Sequence, residues 1–154
     1  MKTIRLIVFA LIFTNLFSCT KKEDPKPDAT NVTVTGIKIV TMPLTDGGSD
    51  WDLDGGADPI FTIINSNATL YSHNLYYPDV TSSSFPLVYT IADGYKLPYI
   101  NQAYGINLYD YDETSANDYI GQVVFNPSSY KSERPASKTF TDGNVQVTIN
   151  FSWE

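Results

Sequence analysis

Two stretches of the chain crowd carboxylates at spacings suited to holding a metal ion. The first is Asp50-Trp51-Asp52-Leu53-Asp54-Gly55-Gly56-Ala57-Asp58-Pro59, and the second is Asp110-Tyr111-Asp112-Glu113-Thr114-Ser115-Ala116-Asn117-Asp118. Two like charges ~4 Å apart at an effective dielectric of about 20 repel by roughly 4 kcal/mol, so such crowding is costly unless positive charge sits between them. Every donor these stretches offer is an oxygen, which points to a hard cation. Calcium takes about 6–8 oxygens at roughly 2.3–2.6 Å in a flexible geometry that suits loops, whereas magnesium demands a tighter octahedron and keeps more water.

Strands must carry these loops. Asp110 and Asp112 follow a strand-like run, Tyr104–Tyr111. Residues i and i+2 of extended backbone share a side, so both carboxylates face one way, while Tyr111 faces the other and leaves its carbonyl available. The chain turns through 113–117 and returns with Asp118; Ile120 re-enters the core at once, and Gly121 permits a bulge there. The first acidic stretch lies between two further strand candidates, Thr33–Met42 and Pro59–Leu70. Residues 71–84 read as a long polar connection. Pro86–Ile91, Tyr119–Asn126 and Val145–Trp153 complete the strand candidates, with turns at Asp93-Gly94 and Asp142-Gly143. Residues 128–138 offer a short helical turn before Pro135, and no longer helical stripe exists. Seven or eight short strands punctuated by turns predict an all-β chain folded as a β-sandwich. Its core is expected from Tyr, Phe and Ile at alternate positions. Trp51, in a loop, is placed outside the core, as an exposed anchor or folded back over its own loop.

Composition narrows the chemistry. The 154 residues carry 10 bases against 17 acids, a formal net charge of −7. That argues against nucleic acid as a partner, which wants a basic face, and against a polybasic contact with anionic lipid. One cysteine and one histidine exclude a disulfide framework and a Cys/His zinc site. His73 has no nucleophile elbow near it and reads as solvated. No general base or nucleophile is evident, so the chain is expected not to be an enzyme. An EF-hand loop is the competing local reading, since Asp50-x-Asp52-x-Asp54-Gly55 matches its first six positions; the twelfth, however, is Phe61 rather than glutamate, and strands flank the loop.

Together the two loops resemble those of the C2 domain. Asp52, five intervening residues and Asp58-Pro59-Ile60 are similar to the family's "SDPYV" segment. Asp110 through Gly121 is similar to its "D-x-D-x-x-S-x-x-D-x-I-G" segment. The resemblance implies an eight-stranded antiparallel β-sandwich over residues 32–154 that binds calcium at one end. It implies Asp52, Asp58, Asp110, Asp112 and Asp118 as carboxylate ligands, with Ser115 and the carbonyls of Leu53 and Tyr111 as secondary ones. Asp54 has no counterpart in the pattern. The strand before the first loop is also the first of the domain, an order resembling the circularly permuted, phospholipase-type form. Many C2 domains dock on anionic lipid with basic or apolar loop tips. The second loop here departs from that habit, offering neither before Tyr119.

The N-terminus bears on location. Lys2 and Arg5 precede an apolar run, and Leu16-Phe17-Ser18-Cys19 resembles the lipobox of bacterial lipoproteins. The resemblance implies that residues 1–18 are a cleaved signal peptide and that Cys19, the only cysteine, carries the lipid that ties the chain to a membrane. Residues 19–31 then form a polar tether stiffened by Pro25 and Pro27. Thr20 follows the cysteine, so the inner-membrane retention signal is absent and the outer membrane is expected. Lys21-Lys22-Glu23-Asp24 resembles cell-surface export signals and reads equally as a solvated tether. The functional expectation is an envelope-anchored calcium-binding module for a phospholipid, glycan or protein partner. The alternative is an accessory domain in which calcium only stabilises the loops.

Overall fold

The computed structural model describes residues 27–52, 55–66 and 68–154. Eight strands form two four-stranded antiparallel sheets. The strands are β1 (Val32–Thr41), β2 (Pro59–Ile64), β3 (Thr69–His73), β4 (Leu87–Lys96), β5 (Tyr104–Asp110), β6 (Asp118–Phe125), β7 (Ser137–Asp142) and β8 (Val145–Trp153). One sheet runs β4-β1-β8-β7 and the other β3-β2-β5-β6. The expected all-β sandwich is what the chain builds. Alternation explains the layering: Val32, Val34, Ile37 and Ile39 of β1 and Val145, Val147, Ile149 and Phe151 of β8 point inward and meet Phe61, Ile63, Ile106, Leu108 and Val123 from the other sheet.

Several boundaries differ from the sequence reading, each for a local reason. Pro59–Leu70 is not one strand. It is cut at Asn65, whose side chain accepts from the Ala68 amide at 2.9 Å, and residues 69–73 return as β3, paired with β2. Asp93-Gly94 does not end a strand. It forms a bulge inside β4, with Gly94 at φ 67° and the register against β1 shifting between Val34 and Gly36. The short helical turn expected before Pro135 is present as a 3-10 turn, Pro127–Tyr130, and the strand β7, which begins at Ser137, follows it. β7 shows little burial and, among the described residues, pairs with β8 alone.

The strand ends define two poles. At one, β1 and β4 lie together through Thr33 and Lys96, and Val32 is paired with Trp153. Phe125 at the end of β6 packs on Phe151 there. Residues 27–31 are strapped across this pole. Thr30 and Asn31 donate their amides to the Glu154 carbonyl at 2.8 and 3.1 Å, the Ala29 amide donates to the Lys131 carbonyl at 3.0 Å, and Lys131 pairs with Asp28 at 3.0 Å. The Arg134 guanidinium donates to the Pro27 carbonyl. At the other pole β1 ends, β2 begins, β5 gives way to β6, and β7 turns into β8. Both acidic loops emerge there.

Candidate metal centre

Asp110 is the deepest of the described acids at that pole. On β5 the inward row is Tyr104, Ile106, Leu108 and then Asp110, so strand parity alone carries its side chain toward the core, where it is 1% exposed. The Asp58 amide donates to Asp110 Oδ1 at 2.5 Å, and the Tyr111 amide donates to the Asp58 carbonyl at 3.1 Å. These bonds sew the end of the first acidic loop to the start of the second. Across the strands Pro59 faces Asp110, and Asp110 faces Asp118. Directly opposed like charges destabilise a ladder.

The electrostatics record the crowding. Burial, and then the fields of Asp52, Asp112 and Asp58, push the Asp110 carboxyl up to about 6, against the opposing pull of the Asp58 amide. Asp52 is also raised, by burial first and then by Asp58, Asp112, Asp79 and Asp118. Asp58, Asp112 and Asp118 are therefore within electrostatic reach of Asp52, and Asp52, Asp58 and Asp112 within reach of Asp110. Among the described residues no three His, Cys, Asp or Glu side chains stand close enough, as placed, to grip an ion. The convergence is one of field rather than of a closed cage. The donor set, carboxylates on loop backbone with no thiol or imidazole among them, fits a hard cation such as calcium.

Asp79 joins the cluster from a third segment, the connection after β3. Its amide donates to Asp58 Oδ1 at 2.7 Å, and Val80 follows by donating to the Ala57 carbonyl at 2.9 Å. Gly56 allows this approach: a Cβ there would stand 2.5 Å from the Val80 carbonyl oxygen. Sequence reading missed Asp79 because it is an isolated acid in a polar connection. The glycine pair opposite was the one available signal.

The other expected residues are placed as follows. Asp112 is half-buried, and its amide donates to Asn117 Oδ1 at 3.1 Å, closing the second loop. Asp118 and Ser115 are exposed. Tyr111 is half-buried, its ring stacked on Tyr76 with centroids 4.9 Å apart. Leu53 and Asp54 lie outside the described residues, as do Cys19, the leader and Lys21–Asp24. Trp51 folds back: it packs on the core's edge and donates Nε1 to the Pro43 carbonyl at 3.2 Å. His73 is not a solvated side chain. It is half-buried, stacked on Phe61 at 5.0 Å and edge-on to Tyr89 at 5.4 Å, and burial lowers its pKa. Beside the acids the connection after β3 exposes an apolar patch that the second loop itself lacks: Leu75 (73% exposed), Tyr76 and Tyr77.

No protein-family profile matches the sequence, and no curated protein matches it. Solved structures do match its fold. Human GIVD cytosolic phospholipase A2, solved with methyl gamma-linolenyl fluorophosphonate inhibitor and terbium chloride, superposes with a TM-score of 0.57 at 13% identity, over 83% of this chain and 18% of that one. The chain thus spans less than a fifth of that enzyme's length. A C2 domain of plant extended synaptotagmin 1 matches with a TM-score of 0.52 at 16% identity, over 84% of this chain and 97% of that domain. A calcium-bound structure of the paired C2 domains of extended synaptotagmin 2 gives 0.51 at 14% identity, over 84% and 47% of the respective chains. The fold is C2-like.

Proposed function

We propose that the chain is an envelope-anchored, calcium-binding C2-like module that displays its acidic pole to a phospholipid, glycan or protein partner. Cys19 carries the lipid, and the outer membrane is the location. In this reading the chain binds and does not catalyse. The observation that carries it is the gathering of Asp52, Asp58, Asp79, Asp110, Asp112 and Asp118 at one pole, with Asp110 sealed at its base. A divalent ion offsets the repulsion that this arrangement stores. The matching of a calcium-bound C2 pair supports the choice of ion. A second reading, in which calcium only braces the loops, draws on the bonds that make Asp58 and Asp110 part of the loop scaffold.

Calorimetric titration with calcium tests the site. The expected dissociation constant lies at roughly 0.1–1 mM, the range of extracellular modules. With about 1 mM calcium and a constant near 0.1 mM, one site stabilises the fold by ~1.4 kcal/mol. Absence of both binding heat and a melting shift at ten times that calcium overturns the assignment. Calcium-dependent retention on liposomes or a glycan array supports the display reading; a melting shift without retention supports the bracing one. The anchor is tested separately. Cys19→Ser should release the chain from the membrane fraction into the soluble one, and unchanged membrane fractionation refutes lipidation at that residue.

A further inference from the structure

The two poles differ in more than acidity. The strap of residues 27–31 fixes where the chain leaves the sandwich, and it leaves at the pole opposite the acidic loops. Ala29 is 3% exposed within that strap, so its fixed path reaches back almost to Pro27. From Val32 to Thr41, β1 runs the length of the body, 10 residues whose nine rises of ~3.3 Å span about 30 Å. Between Cys19 and Pro27 lie residues 20–26, a stretch whose full extension is at most about 25–29 Å. Pressing the acidic pole end-on into the surface that holds Cys19 would demand that tether at its full extension, since Pro27 would then stand about a β1 length above the surface.

Charge favours the same orientation. Among the described residues the strapped half carries Lys96, Lys131, Arg134 and Lys138 against Asp28, Asp93, Glu133 and Glu154. Lys38 lies partway along β1, and the opposite pole carries the ten remaining described acids with no base. The balanced end can rest near an anionic bilayer, and the acidic end is repelled from it.

We infer that the acidic pole, with Leu75, Tyr76 and Tyr77 beside it, faces away from the membrane to which Cys19 ties the chain, so that its partner meets it in trans. This rests on the anchor reading and decides something that reading leaves open: the lipid of the chain's own bilayer is not the ligand. A lipid partner would have to belong to another membrane or vesicle.

The test uses the chain from residue 19 onward, which includes the eight strands and the core formed by the described residues. The Cys19 thiol is coupled to a maleimide phospholipid in nanodiscs of phosphatidylcholine and phosphatidylglycerol. A fluorophore on a genetically encoded azide residue replaces either Ala116, in the second acidic loop, or Glu133, at the strapped pole. Quenching by a nitroxide-headgroup lipid reports proximity to the bilayer. The expected result is at least threefold stronger quenching at 133 than at 116, in chelator and in calcium alike. Quenching at 116 that equals that at 133, or that appears on adding calcium, overturns the inference. The chemical bond at Cys19 replaces lipidation, so failure of the anchor reading shows in the fractionation experiment and leaves this outcome unaffected.

Discussion

Asp110→Asn is expected to move stability in opposite senses with and without calcium. In chelator the folded chain holds the Asp110 proton up to about pH 6, while the unfolded carboxyl releases it near 3.9. Between those values the unfolded state binds fewer protons than the folded one, so stability falls as pH rises through that window and levels off above it. The loss amounts to up to about 3 kcal/mol, or about 10 °C in melting temperature for a domain of this size. Asparagine keeps the acceptor for the Asp58 amide and removes the charge. The variant should therefore melt higher than the parent at pH 7.5 in chelator and show little of the parent's pH slope. In millimolar calcium the order narrows or reverses, because the parent gains the ion and the variant lacks its most buried carboxylate. Melting curves at pH 4.5, 6 and 7.5, in chelator and in calcium, read both effects. A variant that keeps the full calcium shift, or melts below the parent in chelator at pH 7.5, would contradict the account.

Asp110 also shows how much of the site is legible in the sequence. Its inward parity with Tyr104, Ile106 and Leu108 is written in the alternation of β5, and its pairing with Asp118 follows from a short loop between antiparallel strands. Local pattern reached these residues because a single hairpin positions them. The approach of the first loop to the second was inferred from resemblance rather than spacing, since about 50 residues separate them and only the β2–β5 register brings them together. Asp79 lay beyond both routes: an unremarkable connection places it, and packing against Gly55 and Gly56 decides its position. β7 escaped for a related reason. Its sequence, Ser-Lys-Thr-Phe-Thr-Asp, has little burial to encode, and its identity as a strand comes from pairing with β8. His73, read as solvated, departs from that reading because flanking polarity says nothing about a ring stacked on a neighbouring strand, whereas Trp51 takes the folded-back of its two expected placements.

The His73 stack leads to the largest stability loss expected from a single change. Phe61 is fully buried on β2, between β3, where it faces His73, and β5, where it faces Leu108. Its ring contacts His73 at 5.0 Å, Tyr89 at 5.4 Å and Tyr71 at 6.0 Å, so one side chain ties the free edges of both sheets together. Phe61→Ala should cost about 3–5 kcal/mol, from lost transfer energy and an unfilled cavity. The effect should also reach the acidic pole. Tyr89, edge-on to Phe61, donates its hydroxyl to the Pro59 carbonyl at 2.5 Å, one residue from Asp58. A loosened Tyr89 frees the start of β2, and calcium affinity is expected to weaken several-fold although no ligand has changed. Val124→Ala, at an exposed position on β6, is the control and should stay within about 0.5 kcal/mol of the parent. Urea unfolding measures the first effect and calcium titration of the folded fraction measures the second. A Phe61 variant that unfolds like the Val124 control would show that this aromatic column does not hold the sheet edges together. One that unfolds early yet binds calcium with the parent's affinity would separate the column from the acidic pole.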